Sequence, residues 1–226
     1  MPAADTLLKL MAAWLLLAGA AAWASYARLG LARPMLWASL RGLIQLLLLA
    51  WVLQWLFDIR HPLAQSLLIA MFCVLAGRTS AGHHARKQDA WLAASVGLLA
   101  ACALTLPWLV AVGAIDADTR TLLPLGSMIA ANGMNAISLM FHRMGKEGQA
   151  LEGMRAAMIP PIDTLRVVGL VHMPGIFVGM ILAGATALDA ASAQLMILYM
   201  IVASSFSACM ISMLVLNHRM KRLSCA

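Results

Sequence analysis

Seven long apolar runs follow one another along this chain with only short polar connections between them: Thr6–Ala24, Leu36–Phe57, Pro62–Gly77, Ala90–Gly113, Leu122–Phe141, Ile162–Gly184 and Ala191–Leu216. A helix needs about 20 apolar residues to cross the hydrocarbon core of a bilayer. Lipid offers no partner to an unpaired backbone amide, so such runs cross as helices. The expected fold is therefore all-α, a polytopic membrane helix bundle of about seven transmembrane helices, with residues 1–226 forming a single transmembrane domain. Composition agrees, since 63% of residues are hydrophobic and 11% charged, outside the balance of a soluble domain. The first run lacks a basic leader and a small-residue cleavage motif, and it reads as a retained span.

Basic residues alternate from one connection to the next. Arg28 and Arg33 lie in the first, Arg78, Arg86 and Lys87 in the third, Arg143, Lys146 and Arg155 in the fifth, and Arg219, Lys221 and Arg222 at the C-terminus. The connections between them hold Asp58 with Arg60, then Asp116, Asp118 and Arg120, then Asp189. Lysine and arginine concentrate in cytoplasmic loops, so the expected orientation is N-terminus outside and C-terminus inside. The net charge of +7 then needs no nucleic acid, because basic loops meet an anionic inner leaflet.

Several hydrogen-bonding side chains fall near the middle of these runs. At a rise of about 1.5 Å per residue, Gln45, Asn132, Asn135, His172 and Ser204, Ser205 and Ser207 reach similar depths from four different spans. Such groups bond across helices, or in the case of serine to their own helix, and they also line cavities and pathways. Arg41 lies deeper than a residue that merely reaches for the interface. Asp163 and Arg166, three apart at the start of the sixth run, share a helix face and suit an ion pair.

The sixth run is made of poor helix formers. In VVGLVHMPGIFVGMILAGA, Pro174 removes a backbone donor and Gly175 frees the chain to bend, so a kink or break is expected near His172. Irregular backbone at membrane depth is tolerated only where protein buries it or a cavity hydrates it. Gly175 and Gly179 form a GxxxG pair suited to close helix contact, and Gly179 with Gly184 suits close packing of the outer half.

Other chemistry is thinly represented. The cysteines Cys73, Cys102, Cys209 and Cys225 are far apart and form no CxxC pair, and there is no HExxH or acidic cluster that would define a metal site. The 17 methionines are soft thioethers, but they are also ordinary gap-fillers. No GxxxxGK[ST] motif is present, so any ATP would be hydrolysed by another chain.

The approach to the sixth run, Met158-Ile159-Pro160-Pro161, with Val168-Gly169-Leu170-Val171 before Pro174-Gly175 and Leu182-Ala183-Gly184 after, resembles the FetB-like family of ABC transporter permeases. Arg41 with Ile44-Gln45-Leu46, and Met128-Ile129 with Asn132, extend the resemblance. That family includes bacterial iron exporters and the membrane subunit of a plant aluminium-tolerance transporter. It implies a non-enzymatic permease domain in the inner membrane that pairs with a second copy and with a soluble ATP-binding cassette subunit, binding no cofactor itself and drawing on ATP through its partner. It also implies that Arg41, Gln45, Asn132, Gly169, Pro174 and Gly175 carry function. His172 and Met173 depart from the family's small polar residue followed by leucine. The cytoplasmic stretch GKEGQALEGM, where Glu147, Glu152 and Arg155 are the candidate coupling residues, is shorter than the family's segment, and three glycines in ten residues argue against a stable helix there.

The expected function is that of an export permease for a metal ion such as iron, with Arg41, Gln45, Asn132, Asn135, His172 and Met173 on the pathway and Gly169, Pro174, Gly175 and Gly179 at a helix break or gate. An ion-gradient-driven carrier is the alternative, since such carriers also break helices at the midplane. A non-transporting membrane scaffold is the third.

Overall fold

The computed structural model describes residues 2–57, 61–144 and 150–224. Within them the chain forms eight helices: α1 (Pro2–Tyr26), α2 (Ala32–Phe57), α3 (Pro62–Ala81), α4 (Lys87–Ala111), α5 (Thr119–Arg143), α6 (Ala150–Val167), α7 (Gly175–Leu182) and α8 (Ala187–Ser224). Six of them, all but α6 and α7, are long and apolar enough to cross a membrane. The chain divides into two compact units, Met1–Asp58 and Ile59–Ala226.

The first unit is a helical hairpin. Arg28 and Gly30 adopt positive φ angles of 54° and 69°, which turn the chain between α1 and α2. Among the described residues of α1, Ala21 and Ala24 are the buried apolar ones, and the Trp14 indole donates to the Ser39 hydroxyl across the pair at 3.4 Å. Leu43, Ile44, Leu46, Leu47, Leu48 and Leu49 on α2 are all exposed within this unit. A water-soluble protein does not display an apolar surface of this extent, whereas lipid covers it at no cost.

The second unit holds the core. Helix α4 packs against α3, α5 and α8, while α5 also packs against α3, α6 and α8. Small residues make this possible. A Cβ on Gly77 would lie 2.9 Å from the Ser95 nitrogen, and one on Gly133 would lie 2.6 Å from Leu98 Cδ2. Without an aqueous hydrophobic effect to drive them together, helices in lipid rely on this kind of close backbone approach. Ser80 adds polar links, donating to the Met134 carbonyl at 3.0 Å and accepting from Ser138 at 3.3 Å.

Two contacts fix which ends lie together. The His83 and His142 rings meet edge to face at 6.4 Å, and Arg219 pairs with Asp89 at 3.1 Å. The α3–α4 connection, the C-terminal end of α5 and the C-terminal part of α8 therefore share one end of the unit, and that end is the basic one. Gln65 donates to Thr119 at the opposite end, beside Asp116 and Asp118.

Three expectations change here. The apolar run Ile162–Gly184 is not one continuous helix, because it is divided between the end of α6 and the short α7. The break is centred before His172. Helix α6 stops at Val167, the amides of Leu170, Val171 and His172 all donate to the Val167 carbonyl, and Gly169 turns the chain at a φ of 82°. Pro174 does not kink a continuous helix but serves as the N-cap of α7, a place where its missing N–H costs nothing.

The second change concerns the stretch between α5 and α6. Its part from Ala150 onward is helical, because Gly153 lets α6 lie against α5, where a Cβ would come within 2.9 Å of the Met140 carbonyl oxygen. Packing thus overrides the low helix propensity of glycine. Third, among the described residues nothing lies within 4 Å of a Cβ added at Gly175, Gly179 or Gly184, so the close packing expected of Gly179 and Gly184 is not made within the chain. Gly184, at a φ of 91°, instead ends α7 in the left-handed conformation.

A polar cleft between α5, α6 and α8

Asn132 and Asn135 are three apart on α5 and so present their amides on one side of that helix. Facing them are Pro160, Pro161 and Thr164 of α6 and Ser205 of α8, and between the three helices lies a cleft of about 170 Å³. At about 30 Å³ for each water, this is room for several waters or a small hydrated ion. No charged side chain lines it.

Its chemistry comes from oxygen atoms. The Asn132 amide nitrogen donates to the Met128 carbonyl at 2.9 Å, so its Oδ1 is turned out as an acceptor. Pro160 and Pro161 lack the N–H groups that would bond the carbonyls of Ala156 and Ala157 four residues earlier in α6. Ala157 lines the cleft. The Thr164 hydroxyl donates to the Pro160 carbonyl at 2.9 Å, leaving its own oxygen as an acceptor. Carbonyl, amide and hydroxyl oxygens suit hard or borderline cations that retain water, and lack the thiolate or imidazole of a tight transition-metal site.

The other residues picked out in the sequence lie elsewhere. Arg41 and Gln45 are on α2, in the first unit, and are exposed. His172 and Met173 are exposed in the link between α6 and α7 and do not line the cleft. Gly169 turns that link, while Pro174 and Gly175 open α7 and Gly179 lies within it. Asp163 and Arg166 form the ion pair their spacing suggested, at 2.9 Å, on the exposed side of α6. Glu152 and Arg155 are exposed near the start of α6, and Glu147 lies outside the described residues. Ser204 and Ser207 bond carbonyls of their own helix, those of Ile201 and Ala203.

Two features escape a reading of the sequence by motif. Pro160 and Pro161 carry more of the cleft than His172 does, and a double proline inside an apolar helix was the available signal. Cys73 and Cys102, 29 residues apart, meet with their sulfurs at 3.6 Å. Among the described residues no group of three or more histidine, cysteine or acidic side chains is placed to hold a metal ion.

Fold and cleft together define a polytopic helical membrane protein with a polar opening among its core helices. The chain belongs to the uncharacterised protein family UPF0014, whose profile matches residues 7–152 and 148–220. Among its relatives is the probable iron export permease protein FetB of Escherichia coli (strain K12), 25% identical over 201 residues that cover 79% of this chain and 78% of the relative. The UPF0014 membrane protein STAR2 of Oryza sativa subsp. japonica is 28% identical over 223 residues, covering 88% and 78%. The protein ALUMINUM SENSITIVE 3 of Arabidopsis thaliana is 24% identical over 201 residues, covering 78% and 73%. No solved structure matches the chain.

Proposed function

We propose that this chain is the membrane permease subunit of an ABC-type exporter in the inner membrane, moving a metal ion such as iron out of the cytoplasm with energy from a separate soluble ATPase. The observation that carries this reading is an uncharged cleft in which the amides of Asn132 and Asn135 and the hydroxyls of Thr164 and Ser205 are set among apolar side chains, in a chain whose family includes a relative named as a probable iron export permease. Oxygen donors without a fixed charge bind a cation weakly enough to release it, which a transport site requires.

Membrane orientation follows from charge. The end that carries Arg86, Arg143 and Arg219 faces the cytoplasm under the positive-inside rule, with the N-terminus outside. Arg143, Glu152 and Arg155 then lie on the side from which a soluble ATPase docks, and ATP acts through that partner. Gly175 and Gly179, open on an exposed helix, offer a surface for a second copy of the chain. The link at Gly169 serves as the gate.

Co-purification with a soluble ATPase whose turnover rises in the presence of this chain tests the reading, together with efflux of ferrous iron that stops on ATP depletion. Efflux that survives ATP depletion but collapses with an uncoupler assigns the chain to ion-gradient-driven carriers instead. Unchanged metal handling in cells that lack the chain would leave it a membrane scaffold.

A further inference from the structure

Cys73 on α3 and Cys102 on α4 are both buried, at 0% and 5% exposure, and their sulfurs are 3.6 Å apart. The Gly126 carbonyl oxygen of α5 lies 3.9 Å from the Cys102 sulfur, so a third helix brings a hard donor to the same spot. Cys102 also forms part of the wall of a groove of about 620 Å³ that runs past Gln65 and Ser66 toward the end of the unit where Pro62 and Ala117 lie. Cys73 is thus enclosed by protein, while Cys102 adjoins open space.

We propose that Cys73 and Cys102 form a two-thiolate site for a thiophilic divalent cation with a filled d shell, zinc or cadmium, reached through this groove. Geometry favours it. Two zinc–sulfur bonds of about 2.3 Å at a tetrahedral angle place the sulfurs about 3.8 Å apart, close to the separation already present. Charge favours it as well, because the cation takes up two thiolates as each thiol gives its proton to solvent, so that M²⁺ + 2 RSH becomes M(SR)₂ + 2 H⁺. The product is neutral, which an apolar interior tolerates, whereas a monovalent cation would leave a net negative charge behind. The remaining coordination positions fall to the Gly126 carbonyl and to water from the groove. Neither cysteine lines the cleft at Asn132, so this site stands independently of the proposed transport function.

The test uses the full chain, purified in detergent under reducing conditions and titrated with cadmium chloride while the ultraviolet thiolate-to-cadmium charge-transfer band is followed. The band is expected to saturate at one cadmium per chain with release of two protons. Cys73→Ser or Cys102→Ser should weaken binding by tenfold or more, a loss of the size that follows from removing a metal-site partner. Cys209→Ser, which alters a cysteine on α8, should leave the titration unchanged. No band in the wild-type chain, or a band that persists when both Cys73 and Cys102 are replaced, would overturn the proposal. X-ray absorption of the zinc-loaded wild-type chain decides the matter without any variant. Two sulfur neighbours at about 2.3 Å are expected, and a shell of oxygen and nitrogen alone would contradict the site.

Discussion

The backbone of Gly97 on α4 passes so close to Ala208 on α8 that a Cβ at position 97 would lie 2.5 Å from the Ala208 carbonyl oxygen. The Ser212 hydroxyl, also in the way, can rotate aside, but the Ala208 carbonyl is backbone and cannot. Gly97→Val is therefore expected to force the two helices apart, at about 1–3 kcal/mol or more, the usual range for overpacking. Gly42→Ala, at a helical position where nothing lies within 4 Å of the added carbon, is expected to be neutral to slightly stabilising, since alanine is the better helix former. Thermal unfolding of the two variants in one detergent measures the contrast.

Asp89 and Arg219 tie the first turn of α4 to the last part of α8 at 3.1 Å, with the arginine side chain 44% exposed and the carboxylate 19% exposed. A pair so open to solvent contributes about 0.5 kcal/mol, to which the position of Asp89 at a helix N-terminus adds a similar amount. Asp89→Asn should lower the unfolding midpoint slightly, and the difference from wild type should shrink as salt is added.

Gly169 occupies a φ of 82° where α6 gives way to the link before α7. An L-residue in this left-handed region costs about 1–2 kcal/mol. Gly169→Ala is expected to slow transport while leaving the α3–α4–α8 core intact, because nothing packs on this glycine. Amide exchange that rises in residues 168–174 but stays low in α4 is the matching measurement.

Asn132→Leu removes one oxygen donor from the cleft while keeping the branching and number of side-chain heavy atoms. Losing one neutral donor should weaken cation stabilisation by about 1 kcal/mol, roughly fivefold in rate, with a larger loss for Asn132→Leu combined with Asn135→Leu. Efflux of ferrous iron from loaded cells reads this directly, provided surface expression is unchanged.

Much of this architecture was legible because lipid imposes a simple rule. Runs of about 20 apolar residues become helices, and the runs beginning at Thr6, Leu36, Pro62, Ala90, Leu122 and Ala191 correspond to α1–α5 and α8. The interruption around Pro174 was legible for an equally local reason, since proline and glycine act on backbone that need not know its neighbours. What the sequence hid depends on partners. Gly175 and Gly179 carry a contact motif but face open space, whereas Gly77, Gly97, Gly126, Gly133 and Gly153, none in a GxxxG pair, make the close approaches. The helix from Ala150 forms because α5 receives it, and His172 falls outside the cleft because α6 ends five residues before it. Cys73 and Cys102 meet only because α3 and α4 pack side by side.

The most direct test of the central claim is iron transport in proteoliposomes that contain this chain and the soluble ATPase that co-purifies with it, measured with and without ATP for the wild type and for Asn132→Leu. Transport that requires ATP and falls about fivefold in the variant is the expected result. Transport indifferent to ATP, or equally fast when Asn132 is replaced, would contradict it.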